Sequence, residues 1–368
     1  MGAKPERLAE LTADLMLIPG LSGYEGLVRA RIRTELGALG VDARTDRLGN
    51  LIATLAGDAG APSVMLITHM DQLGFLVRKV EATGFLRLER LGGVPERALA
   101  AQPVLLCVGE GRDVVGVIAN KAHHATTPEE KYRVVPYAET YVDAGFHSAA
   151  EAEAAGVRIG TPVVYQPAVR RLANGLIAGT SVDDRAGCAV VLEAARQLCE
   201  APVRPTVHLV FSVQEEFNLR GALPAAQALN PDIAIQIDLV LATDTPDMGH
   251  RGDVRLGGGP AMSLYSFHGR GTLNGALPHP ALVKLCESTA ARLEIPLQRS
   301  VHVGALTETS YVQLVGEGVA VVDLGFPMRA SHSANEVCDP ADLAALTDLL
   351  AAGVASIGGG FSLNPDEV

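Results

Sequence analysis

The chain has 368 residues, 48% of them hydrophobic, enough for a large core in two domains or in one domain that carries an insertion. Thirty Lys and Arg against 42 Asp and Glu give a formal charge of −12 and a pI near 5.3, and no basic run interrupts this balance, which argues against nucleic acid and anionic membrane surfaces as partners. An aromatic content of 4% with no Trp counts against a carbohydrate cleft, which needs flat apolar platforms.

Residues 5 to 39 carry apolar side chains at helical spacing: Leu8, Leu11, Leu15 and Met16 before Gly20-Leu-Ser-Gly23, and Val28, Ile32 and Leu36 after it. Two helices are expected there. Val41 to Leu55 reads as a hairpin turning at Gly49-Asn50, and Ser63-Val-Met-Leu-Ile-Thr68 as a doubly covered parallel strand that ends at His69. Between 74 and 166 the chain changes to short alternating strands (75–80, 85–91, 104–108, 114–118, 162–165) separated by Gly or Pro, with one helix at 148–155. An α/β rhythm then resumes with a helix at 184–198, a strand at 206–213, a helix at 220–228 and a strand at 233–240. Gly257-Gly-Gly-Pro260 interrupts it, and helices at 280–293 and 340–352 flank a last strand at 319–324. The expected fold is α/β, a mixed and largely parallel sheet covered by helices, formed by residues 1–73 and 167–368, with a small β-rich domain inserted at 74–166. The five scattered cysteines contain no CxxC and read as small apolar packers in a reducing compartment. With no apolar leader segment after Met1 and no apolar stretch of about 18 residues, a cytoplasmic protein is expected.

Acids and histidines recur at the C-terminal ends of these apolar strands, where open α/β sheets hold their ligands. Glu215-Glu216 closes the run from Thr206 to Val213. Neighbours on an extended chain point to opposite sides, so one carboxylate can face an ion and the other a reacting group, although an acidic pair opening a helix would look the same. His69-Met-Asp71 follows the first core strand, and the HxD spacing lets Asp71 contact one imidazole N–H while the other nitrogen binds a metal. Asp183-Asp184 precedes a helix, where one acid can cap and the other bridge ions. Asp238 interrupts the apolar run Ile233 to Leu241, a costly place for an unpaired acid. His332 follows the last strand, whereas His123, His124 and His208 read as surface or packing residues and Asp244 and Asp247 as turn formers. Together His69, Asp183, Glu216, Asp238 and His332 form an N/O ligand set that exceeds one zinc and suits two ions about 3.5–4 Å apart with a hydroxide between them, leaving Glu215 as general base and acid.

In this order the motifs His69-Met-Asp-Gln-Leu-Gly-Phe75, Val182-Asp-Asp-Arg-Ala-Gly187, Val213-Gln-Glu-Glu216 with Leu219-Arg-Gly221, and His332-Ser-Ala-Asn-Glu-Val337 resemble those of the M42 metallo-aminopeptidases, relatives of the tetrahedral aminopeptidases, over nearly the whole chain. The resemblance implies a zinc-peptidase type of fold and an aminopeptidase that removes the N-terminal residue of short peptides. It implies two divalent ions per subunit, Zn or Co with Mn as a further candidate. Asp183 would bridge them, His69 and Asp238 would hold one and Glu216 and His332 the other, with Asp71 orienting His69 and Glu215 moving protons. It also implies that residues 74–166 dimerise and that dimers can build a tetrahedral dodecamer. Gln72 and Glu308, in Ala305-Leu-Thr-Glu308, depart from the family's pattern without removing a ligand. A carboxypeptidase or deacylase on the same di-metal frame stays open, as does a glycoside hydrolase using Glu215 or Asp238 as one of an acid/base pair.

Overall fold

A computed structural model describes residues 2–200, 204–268 and 275–367. Its central strands run in the order Val207–Ser212, Val64–His69, Ile233–Leu241, Ala320–Arg329, all parallel, because both faces are covered and each strand is a nearly continuous apolar run. Alternate residues serve the two faces. Val64, Leu66, Ile233, Ile235 and Ile237 pack against the helices Pro5–Met16, Val182–Glu200 and Pro340–Ser356, while Met65, Ile67 and Ala234 pack against Ala222–Leu229 and Thr309–Val312. Antiparallel strands extend the sheet on both sides: Leu51–Leu55 and Ala43–Thr45 beyond Val207–Ser212, and Glu336–Cys338, Ile177–Gly179 and Val169–Arg171 beyond Ala320–Arg329. The architecture is the expected mixed, largely parallel α/β sheet with a small β-rich unit.

That unit is a closed barrel whose strands follow in the order Gly74–Val80, Leu86–Leu91, Val142–Asp143, Val114–Ile118, Pro103–Leu106, Pro162–Tyr165. Its interior is apolar, built from Phe75, Val77, Leu86, Leu88, Val104, Leu106 and Val163, with Tyr165 edge-on to Phe75. Closure removes the unpaired edges that strands this short would otherwise present.

Four features differ from the sequence expectations. The strand expected to stop at 324 continues to Arg329, because its parallel partner Ile233–Leu241 pairs with it past Gly325 and Pro327. Ala261–Phe267 and Gln298–Val303 form a side arm that pairs onto Ala320–Arg329 through the first of them; the second is exposed at every other position and polar at 298, 299, 300 and 302, so it carries no buried-strand signal. The helix expected from 184 is continuous only beyond Asp184, since Asp183 and Asp184 have non-helical backbone angles. Cys188, Cys286 and Cys338 are buried packers, but Cys199 is exposed. No helix among the described residues is long and apolar enough to cross a membrane.

Candidate metal centre

The parallel register brings the C-terminal ends of the core strands to one edge. Ser212 lies opposite His69, so the turn carrying Glu215 and Glu216 begins beside that histidine. Asp238, near the end of Ile233–Leu241, and Asp183, at the start of the long helix, close in from the other side. His332 reaches in from the loop after Ala320–Arg329.

His69 Nε2 lies 3.0 Å from Asp183 Oδ1, and His332 Nε2 lies 3.6 Å from Asp183 Oδ2. The two oxygens of one carboxylate therefore face two different imidazoles. Glu215 Oε2 is 3.8 Å from His69 Nε2, and Glu216 Oε2 is 3.7 Å from His332 Nε2, so the adjacent glutamates face different histidines from a turn rather than from an extended strand. Each imidazole is oriented by its other nitrogen: His69 Nδ1 donates to the Asp71 carbonyl at 3.2 Å and His332 Nδ1 to the Gly93 carbonyl at 3.0 Å. A hydrogen on Nδ1 leaves Nε2 as a lone-pair donor aimed at the acids, the tautomer that metal ligation requires. Gly93 belongs to the barrel's 92–93 turn, and a Cβ there would lie 2.7 Å from His332 Nδ1, so only glycine allows this approach.

Among the described residues, three sets of potential ligand atoms each lie within 4.8 Å of one another: His69, Glu215 and Asp238; Asp183, Glu216 and His332; and Asp183, Asp184 and Asp238. All five residues expected as ligands occur in these sets, and Glu215 occurs with them. Burial pushes the Glu215 and Asp238 carboxyls well above the usual carboxylate range; His69 opposes the rise in both, while neighbouring acids add to it. Burial would lower the His69 pKa, but Glu215, Asp183 and Asp71 outweigh it and raise it well above the usual imidazole value. Crowded buried acids that resist ionisation are a donor set that divalent cations fit, since cations supply the charge the protein lacks.

The residues that support the centre make contacts that the sequence does not show. Asp71 does more than the spacing to His69 suggested. Its carboxylate is 3.5 Å from His69 Nδ1, yet it accepts the backbone N–H groups of Glu215 at 3.0 Å and Glu216 at 3.1 Å and the Ser22 hydroxyl at 2.5 Å. Glu25 accepts the Gln214 N–H at 3.2 Å, so three successive amides of the glutamate turn are held by two buried carboxylates. Glu336 accepts the backbone N–H of Asp183 at 3.1 Å and of His332 at 2.7 Å, tying the shared acid to the last histidine. Glu308 accepts from Ser212 Oγ and from the Ala222 N–H at 2.5 Å, and burial pushes its carboxyl up to about 7. Gln72 accepts from Gly20 N at 3.2 Å and lies 3.4 Å from the guanidinium of the fully buried Arg185, behind the site rather than in it. His208 bonds Thr54, and His123 and His124 meet edge to face at the barrel's exposed surface, all away from the centre.

A family profile described as M42 glutamyl aminopeptidase matches residues 49–349. SgcX of Escherichia coli (strain K12), provisionally named an aminopeptidase, is 36% identical over 358 residues, covering 97% of this chain and 96% of the relative. An aminopeptidase structure from the archaeon Desulfurococcus kamchatkensis superposes with a TM-score of 0.90 at 31% identity and covers 97% of both chains. The TET1 peptidase of Pyrococcus horikoshii, which can assemble into a tetrahedron or a large octahedral shell, gives a TM-score of 0.83 at 28% identity, covering 96% of this chain and 99% of its own.

Proposed function

The chain belongs to the M42 glutamyl aminopeptidase family, and on that premise we propose that it is a di-metal aminopeptidase that removes the N-terminal residue of short peptides, with Glu215 as general base and acid. The observation that carries the reading is Asp183, whose two carboxylate oxygens face His69 and His332 separately. His69, Asp238 and Asp183 would hold one ion, and Glu216, His332 and Asp183 the other. Bound there, Zn, Co or Mn supplies Lewis-acid polarisation of the scissile carbonyl and lowers the pKa of water at the site.

Glu215 projects toward His69 without sharing the Asp183–His332 side of the centre, and its backbone N–H is anchored on Asp71. A carboxylate held this way takes the proton of the attacking water and returns it to the leaving amine, so its raised pKa suits both halves of the transfer. Asp71, through Glu215 N–H and Glu216 N–H, keeps the two roles in separate side chains. Gly93 and the Asp71 carbonyl hold the imidazoles in their tautomers throughout.

The assembly belongs to the same proposal. Residues 74–166 would form the dimerising insert on a 1–73 and 167–368 body, with exposed Val115, Val117 and Tyr132 available for contact and the Pyrococcus horikoshii assemblies as the precedent for larger shells. Light scattering that gives a monomer would remove this part.

Replacing Glu215 with Gln tests the mechanism. Turnover of aminoacyl p-nitroanilides should drop by about 10²–10⁴-fold with metal content retained, while Glu216→Gln should lose metal. Equal metal loss in the two variants would contradict the division of roles. Hydrolysis of a polysaccharide that survives complete chelation would favour the glycosidase reading instead.

A further inference from the structure

Beside the ligand cluster the side arm forms a cleft that is partly open to solvent. It begins at Asp238, so it starts where the substrate's first residue would sit, and it is closed by Ala261–Phe267, Gln298–Val303 and the start of the 305–309 segment. Asp238 and Val240, two residues apart on one strand, turn the same face toward it, and Leu241 adds apolar wall.

Two of its polar groups are incompletely partnered among the described residues. Asp323 is 7% exposed and accepts hydroxyl hydrogen bonds from Thr307 at 2.9 Å and Thr309 at 2.6 Å, but no Lys or Arg pairs with it among the described residues. Burial pushes its carboxyl up to about 6, with the Thr309 and Thr307 hydroxyls opposing the rise. Ser266, 6% exposed, also lines the cleft, and its Oγ is buried with no hydrogen-bond partner. The wall's histidine, His302, has its pKa lowered by burial and by Arg251, so it brings no compensating positive charge. A buried carboxylate without a cation and a buried hydroxyl without a partner are both costly, and both are relieved by a donor that arrives with the substrate.

Resting on the aminopeptidase reading, we propose that this cleft receives the side chain of the substrate's N-terminal residue and that Asp323, with Ser266, selects Lys or Arg there. The chemistry matches along the length of such a side chain: the methylene stem lies on Val240 and Leu241, and the cationic head reaches Asp323 and Ser266 Oγ. An acidic N-terminal residue would place like charge against both Asp323 and Asp238.

Initial rates with Lys, Arg, Leu, Ala and Glu p-nitroanilides on the metal-loaded protein test this. Lys or Arg should exceed Leu in kcat/KM by about tenfold or more, the worth of a charge-assisted contact, with Glu lowest. Asp323→Asn should bring the Lys to Leu ratio down toward one, with metal content and thermal midpoint reporting on folding. Should that variant fail to fold, Ser266→Met narrows the cleft, and Lys and Arg should then lose more than Ala. Preference for Leu or Glu in the parent protein, an unchanged ratio in folded Asp323→Asn, or equal losses for Lys and Ala in Ser266→Met would each overturn the assignment. Failure to hydrolyse every one of these substrates would instead overturn the aminopeptidase reading on which it rests.

Discussion

Around His69 the edge of the sheet buries Asp71, Asp183, Asp184, Glu215, Asp238, Glu308 and Glu336, with Arg185 as the one buried arginine among the described residues and two imidazoles between them. In the barrel the strands from Gly74 to Tyr165 enclose only apolar side chains, and acids such as Glu81, Glu130 and Glu139 stay at the surface beside Lys79, Arg87, Lys121 and Arg133. The barrel's surface acids pair with bases of its own chain, while the Tyr165 hydroxyl is buried without a hydrogen-bond partner. The edge concentrates like charge in low dielectric, where acids repel and resist ionising, and a folded protein tolerates that only when cations or protons supply the balance. One region is held by an apolar interior with its charges at the surface, and the other concentrates buried charge that a bound cation would balance.

The largest contrast is expected from Asp183→Asn. Loss of the shared carboxylate should empty both ion positions and lower peptide turnover on the order of 10³-fold, read by metal analysis and p-nitroanilide rates. Retained stoichiometric metal would break the claim that this acid serves both sides. In the barrel, Leu86→Ala removes a fully buried side chain and should cost about 2–5 kcal/mol in urea unfolding, while the folded fraction keeps its metal. Metal loss as severe as in Asp183→Asn would mean that the two regions are not separable.

A subtler difference concerns pH. Glu308 titrates at about 7 in the fold against an ordinary 4.5, so between those values the native state binds more protons than the unfolded chain and stability falls as pH rises. His332, raised to about 9 chiefly by Glu216, acts in the same sense: its contribution is complete below its ordinary 6.5 and is lost as pH rises through 9. Metal-free protein should accordingly lose on the order of 3 kcal/mol between about pH 5 and pH 8, seen as a falling thermal midpoint, and zinc should flatten the trend. A metal-free midpoint that climbs over this range would contradict the assignment of strain to the edge. The smallest effect belongs to the exposed Lys121–Glu130 pair, where Lys121→Ala should change stability by less than about 1 kcal/mol. A larger loss on unfolding would show that the barrel's surface carries more than its apolar interior suggests.

How much of this was readable varies residue by residue. His69, Asp183, Glu216, Asp238 and His332 stand out because each places a polar group against an apolar run, and the parallel strands have one edge at which such residues can meet. Glu308 and Glu336 do not stand out, because what matters about them is a backbone N–H 86 or 153 residues away. Ser22 and Glu25 sit in a loop that looks like any link between two helices, yet they steady Asp71 and Gln214. The side-arm strands 261–267 and 298–303 carry no such sign for a different reason: the second is exposed at every other residue and the first mixes Ser and Tyr with its apolar residues, so neither reads as a buried run, and the cleft that Asp323 faces goes unread with them.

The amino-acid sequence by itself determined the helices, the core strands and the residue types gathered at their ends, since burial of periodic apolar side chains is a local pattern that any fold of this chain must honour. Only the tertiary structure decided which acid faces which histidine, that Asp183 turns one oxygen to each, that a barrel glycine orients His332, and that Asp323 lies uncompensated in a cleft beside Asp238. Those facts depend on register and on contacts between distant segments, and the energies that settle them are set by distances of a few ångströms that no spacing along the chain encodes.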